Sequence, residues 1–199
     1  ANYLNIEQLK MKKISLLTLA LAFGAAAFAQ GKWDADKAHS KVGFTVTHLS
    51  VSDVDGNFKK FDASITTPKA DFTDAVFEMT ADVASVNTDN EFRDNDLKSD
   101  HFFDAAKIPQ MHFISKSVSK VDDKHYKITG DLTMHGVTKS VALDMVVNGF
   151  TKDMRSQKPV AGIKVTGTIN RNDFGVGHMP SAMVSDEVEI RALGEFHQQ

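Results

Sequence analysis

The stretch YKITGDLTMHGVTKSVALDMVV, Tyr126 to Val147, decides the fold. Tyr126, Ile128, Gly130, Leu132 and Met134 fall on one side of an extended chain, and Lys127, Thr129, Asp131 and Thr133 fall on the other. After His135-Gly136 the alternation resumes with Val141, Leu143, Met145 and Val147. A period of two, apolar against polar, marks strands with one face buried and one face wet, the pattern of an antiparallel sheet.

The same period recurs outward from this stretch. Upstream it runs through Val42, Phe44 and Val46, through Phe61, Ala63 and Ile65, through Phe77, Met79, Ala81 and Val83, and through Met111 to Val118. Downstream it runs through Ile163, Val165, Gly167 and Ile169, then Val188, Ile190, Ala192, Gly194 and Phe196. Turn chemistry separates the runs at Asp55-Gly56-Asn57, Asp122-Asp123, Asn148-Gly149 and Lys158-Pro159. Eight or so strands, each about ten residues long, favour a closed barrel over a sandwich. Gly130, Gly167 and Gly194, on the apolar face, let a curved sheet bend or leave room for a guest. The alternation stops between Thr88 and Ala106. There Asn90 or Asp89 caps a short helix through Leu97, Ser99 caps a further turn, and Phe92, Leu97, Phe102 and Phe103 pin the segment to the barrel or plug its end.

The first 29 residues read as an address. Met11 is followed by Lys12 and Lys13, then by an uncharged run from Ile14 to Gly31 with a leucine-rich centre, and Ala27-Phe28-Ala29 is a cleavage signal. These are the parts of a secretory signal peptide over residues 11–29, cut after Ala29. Residues 1–10 precede that start and stand outside the fold, and residues 30–199 form one domain. The expected location is periplasmic or secreted, and no lasting membrane anchor is expected. Without residues 1–29 the net charge moves from −3 to −5, because that segment holds Lys10, Lys12, Lys13 and Glu7. An acidic chain with no basic block argues against nucleic acid as a partner.

Chemistry is conspicuous by its absence. There is no cysteine, hence no disulfide, thiolate metal site or cysteine nucleophile. The 8 histidines show none of the H-x-H, H-x-x-x-H or H-E-x-x-H spacings that put two ligands on one element, so no metal centre is expected. No G-x-S-x-G elbow is present, and Gly175-Val176-Gly177 lacks the rest of a nucleotide loop. What stands out instead is 14 phenylalanines against 1 tryptophan and 2 tyrosines, the makings of either a Phe-rich core or a Phe-lined cavity for an apolar guest.

Several segments together carry a family resemblance: Trp33 to Leu49, Gly56-Asn57-Phe58, Leu97-Lys98-Ser99-Asp100-His101-Phe102-Phe103-Asp104, Gly130 to Lys139, Asn170 to Gly175, and Val184 to Val188. In this order and spacing the chain resembles the YceI-like family of polyisoprenoid-binding proteins over residues 32–196. The resemblance implies an all-β fold: an extended lipocalin-like eight-stranded antiparallel β-barrel with a short helical segment near residues 89–104. It implies no resident cofactor, a long isoprenoid lipid, isoprenoid quinone or other amphiphile threaded through the pore, and in many members a homodimer. Candidates to face the interior are Phe44, Val46, Phe77, Met79, Phe113, Leu132, Leu143, Met145, Ile163, Val165, Val188 and Ile190, each of which either meets lipid or packs the core. Phe102, Phe103 and Phe174 lie where a pore mouth would close, and His48, His101, His135 and Arg171 are candidates either to contact a headgroup or to fix loops. The expected function is a non-enzymatic carrier. The alternatives are an accessory protein or enzyme acting on a bound quinone, and an exported barrel filled by its own side chains.

Overall fold

A computed structural model describes residues 31–69 and 71–199. The proposed signal peptide and the residues before it lie outside the described residues. Eleven strand segments follow in order: β1 (Gly31–Ala35), β2 (Lys41–His48), β3 (Ser52–Phe58), β4 (Phe61–Thr67), β5 (Val76–Asp82), β6 (Val86–Asn87), β7 (Gln110–Lys120), β8 (His125–Met134), β9 (Val137–Lys152), β10 (Pro159–Asn170) and β11 (Glu187–Gln198). The helix α1 (Glu91–Lys98) lies between β6 and β7.

These segments make eight staves of one closed antiparallel barrel. β1 and β2 act as one bent stave, since both pair with β11, and β3 and β4 act as the next, pairing with β2 and β1 respectively. From there each stave pairs with the one before it in the chain, through β5, β7, β8, β9, β10 and β11. The last stave, β11, returns to the first: Ala35 lies opposite Phe196, and Phe44 opposite Ile190. Closure puts every second side chain inside, and the outer edge of β3 pairs with a strand, β6, only at Asn57 and Phe58.

Two expected turns are strand interior. Asp55-Gly56-Asn57 lies within β3, and the chain turns earlier, at Leu49 and Ser50, both with positive φ (50° and 58°). Gly56 serves packing rather than turning: a Cβ there would sit 2.2 Å from Cζ of Phe44, whose ring lies across it from β2. Asn148-Gly149 lies within β9, where one extra residue forms a bulge. Gly162 faces Gly149, but the next residue, Ile163, faces Val147. The turn that follows is built by Asp153, which accepts from the backbone N–H groups of Arg155 (3.0 Å) and Ser156 (2.6 Å).

The barrel has one solid end. Trp33, Ile65, Phe72 and Met145 are fully buried there. The Phe72 ring is 5.8 Å from Trp33 and stacks at 5.9 Å on Phe150, so the segment joining β4 to β5 closes that end with aromatic rings. The opposite end is crossed by α1 and by the β10–β11 connection.

Candidate functional site

The interior is apolar and is not filled. Between the aromatic end and α1 lie two chambers, an upper one of about 280 Å³ and a lower one of about 110 Å³. Both are lined by Val42, Met79, Leu132 and Ile190, so they abut at a waist made by those four side chains. Room exists because large inward side chains lie flat on the wall. The Phe113 ring covers Gly130 on the neighbouring strand, Phe44 covers Gly56, and Leu143 covers Gly167. The space left by Gly130 and Gly167 is therefore taken by neighbouring side chains, and the guest space lies further in, along the axis.

The sequence candidates divide by level. Phe44, Val46, Phe102, Phe103 and Val188 line the upper chamber; Phe77, Phe113, Leu143, Ile163 and Val165 line the lower one; Met79, Leu132 and Ile190 line both. Met145 and Phe174 line neither. Met145 is packed into the solid end, and Phe174 is 1% exposed in a 3-10 turn, where it packs the β10–β11 connection. Val42, Phe58, Met111, Met134 and Ile169 also line the upper chamber. All five lie in strands, where alternation marks an inward face without saying which of its members reach open space.

α1 forms the lid of the upper chamber. Asn90 caps it, its side-chain oxygen accepting from the Arg93 N–H at 3.0 Å. The buried carboxylate of Asp94 accepts from the Thr88 N–H (2.8 Å) and the Thr88 hydroxyl (2.6 Å), and Arg93 donates to the same hydroxyl (2.7 Å) and to the Thr88 carbonyl (2.8 Å). This network ties the helix to the end of β6 and turns Arg93, Asp96 and Leu97 toward the chamber. Phe92, expected to pin the helix, lies off that face and is 87% exposed. Behind the helix, Phe103 packs edge-on against Phe58 at 6.0 Å, and the Phe102 ring lies over Gly177.

The polar candidates part company. Arg171 borders the upper chamber, but its donors are all engaged within the chain. Its Nε donates to the Ser185 carbonyl, Nη1 to those of Val176 and Gly177, and Nη2 to those of Met179 and Val184 and to Asp186. It is 3% exposed and organises the β10–β11 connection, which leaves no N–H for a headgroup. Hydrogen bonds from the Ser181 hydroxyl and Asn172, with the Arg171 charge, hold the Asp186 carboxyl below its usual range. His101 lies outside both chambers, with Nδ1 2.9 Å from Asp96, which raises its imidazole above the ordinary 6.5. His135 also lies outside, its ring 3.3 Å from the Phe174 carbonyl. Of the four, His48 and Arg171 border the upper chamber, and Arg171 is committed to its loop. His48, Thr88, Arg93 and Asp96 make that end polar, while in the lower chamber the buried Ser40 hydroxyl has no hydrogen-bond partner.

A closed up-and-down barrel with an apolar, chambered interior and one polar end defines a lipocalin-like binding protein. Comparison with known families assigns it further: residues 33–196 match the YceI-like domain, and the chain belongs to that family. It is 37% identical over 166 residues to a UPF0312 protein of Staphylococcus aureus, covering 81% of this chain and 94% of that one. Among solved structures, the YceI protein of Campylobacter jejuni superposes with a TM-score of 0.70 at 35% identity, over 77% of this chain and 90% of the other. BcnA of Burkholderia cenocepacia gives 0.74 at 26% identity, over 83% and 100%. A polyisoprenoid-binding domain from Saccharophagus degradans gives 0.64 at 14% identity, over 85% and 99%, a likeness of fold.

Proposed function

We propose that the chain is an exported carrier that buries a long apolar lipid, of the isoprenoid or isoprenoid-quinone class, in its barrel. The observation that carries this reading is the pair of abutting chambers walled by carbon. Each methylene moved from water into such a space contributes about 0.8 kcal/mol, so a tail of ten or more carbons binds well with few polar contacts. The tail occupies the lower chamber and waist, and the polar end lies under α1 near His48, Thr88, Arg93 and Asp96. Ser40 offers the lower chamber one hydrogen bond for an oxygen along the guest. The polyisoprenoid-binding description of the Saccharophagus domain, which shares the fold, supports the same guest class. Binding is equilibrium burial without a chemical step. Export follows from the signal sequence over residues 11–29, with Gln30 as the mature start.

Native mass spectrometry of protein purified from a bacterial host, followed by organic extraction, tests the carrier reading. A co-purifying amphiphile at near-stoichiometric yield is expected. Failure to recover one, together with failure to bind added quinones or polyprenols, overturns it. N-terminal sequencing of periplasmic protein tests export.

A further inference from the structure

Outside the barrel wall, four metal-ligand side chains that are scattered in sequence come together. Asp36 and His39 belong to the excursion between β1 and β2, and Glu195 and His197 project from β11. Among the described residues, Asp36, Glu195 and His197 each present a ligand atom within 4.8 Å of the others. Nε2 of His197 is 3.9 Å from Asp36 Oδ2 and 4.0 Å from Glu195 Oε2. His39 Nδ1 is 2.7 Å from Asp36 Oδ2 and 3.8 Å from Glu195 Oε2. In a tetrahedral site with bonds of about 2.1 Å, ligand atoms stand about 3.4 Å apart, and the ligand atoms of Asp36, Glu195 and His197, all within 4.8 Å of one another, lie within side-chain adjustment of that spacing.

A second observation points the same way. His197 Nε2 is buried and has no hydrogen-bond partner, although it faces two carboxylate oxygens. A buried ring nitrogen without a partner costs free energy, and a bound cation would remove that cost. Lys37, next to Asp36, pairs with Asp62 at 2.6 Å and not with the cluster.

We propose that Asp36, Glu195 and His197 form a binding site for one divalent transition-metal ion, with His39 beside them holding Asp36 through a hydrogen bond. An imidazole with two carboxylates suits Zn²⁺ and Ni²⁺ better than Mg²⁺ or Ca²⁺, which favour all-oxygen shells. The site bridges the seam where the barrel closes: Asp36 donates its N–H to the Glu195 carbonyl (2.8 Å), and Ala35 lies opposite Phe196. Ala35, Ser40 and Phe196, which flank these ligands, line the lower chamber, so the ion would clamp the outside of that chamber's wall.

The test is calorimetric titration of the purified chain with ZnCl₂ and with NiCl₂, alongside thermal melting. Uptake of one equivalent and a raised Tm are expected. His197→Ala and Glu195→Gln should each weaken uptake roughly 10–100-fold or more, and His125→Ala, which breaks a His–Asp pair elsewhere, should leave it unchanged. Glu195 is exposed, so Glu195→Gln decides the matter if His197→Ala does not fold. No uptake by the parent chain, or uptake unaltered in Glu195→Gln, overturns the proposal.

Discussion

At the scale of single residues, Arg171 and Gly130 show how side-chain chemistry becomes site geometry. The buried Arg171 guanidinium holds a connection that would otherwise leave several carbonyls without donors. Arg171→Met is expected to lose about 3–5 kcal/mol, because it strips those carbonyls and the Asp186 carboxylate of their partner at once. Urea denaturation followed by circular dichroism measures the loss, and a loss below 1 kcal/mol would mean that water replaces the arginine. Its role was hidden in the sequence: an arginine within the segment Asn170 to Gly175 reads equally as a headgroup ligand until residues 176–186 are seen to fold back around it. Gly130 faces a different constraint. A Cβ there would meet the Ile114 carbonyl at 2.4 Å and the Phe113 ring at 2.7 Å. Gly130→Val therefore forces the Phe113 ring off the wall into the lower chamber. The expected cost is about 1–3 kcal/mol, with weakened lipid uptake, and the two readouts should fall together.

At the scale of elements, α1 is short and polar, and what holds it is its cap and the Asp94–Thr88–Arg93 network. Asn90→Ala should cost about 1 kcal/mol and speed amide exchange in residues 91–98 while leaving the strands protected. The His101–Asp96 contact braces the end of the helix with a known sign. Its folded-state imidazole value is raised, so the contribution is complete below the ordinary value of 6.5 and is lost as pH rises through the raised one. An NMR titration should place His101 above 6.5, and Asp96→Asn should bring it back down. The long strands could be read from sequence because a wall with one greasy face imprints a period of two, from Tyr126 to Val147 most plainly. β3 could not: SDVDGNF carries two aspartates, a glycine and an asparagine, which spell a turn locally. They form a strand only because β2 pairs along its whole length and the Phe44 ring needs Gly56 beneath it. The helix position was legible from Asn90 and the lapse in alternation, whereas its inward face was not, since Phe92 is its most apolar residue and points to solvent.

At the scale of the whole molecule, what matters is how far the open space extends along the barrel, a property no single strand records. Alternation assigns Met145 and Leu143 alike to the interior, yet one is sealed in the aromatic end and the other lines a chamber. Phe72, from the segment joining β4 to β5, packs near Trp33 and Phe77 and fills one end only. A one-ended container makes length discrimination testable at the waist. Ile190→Trp should block passage between the chambers while leaving the upper one open. A guest whose last five or so methylenes reach the lower chamber would then lose about 4 kcal/mol, roughly a thousandfold in Kd. A short guest that ends above the waist should bind almost as before. Fluorescence displacement with a series of quinones differing only in isoprenoid tail length would separate the two cases. A parallel loss for every tail length would mean that the two chambers do not act in series.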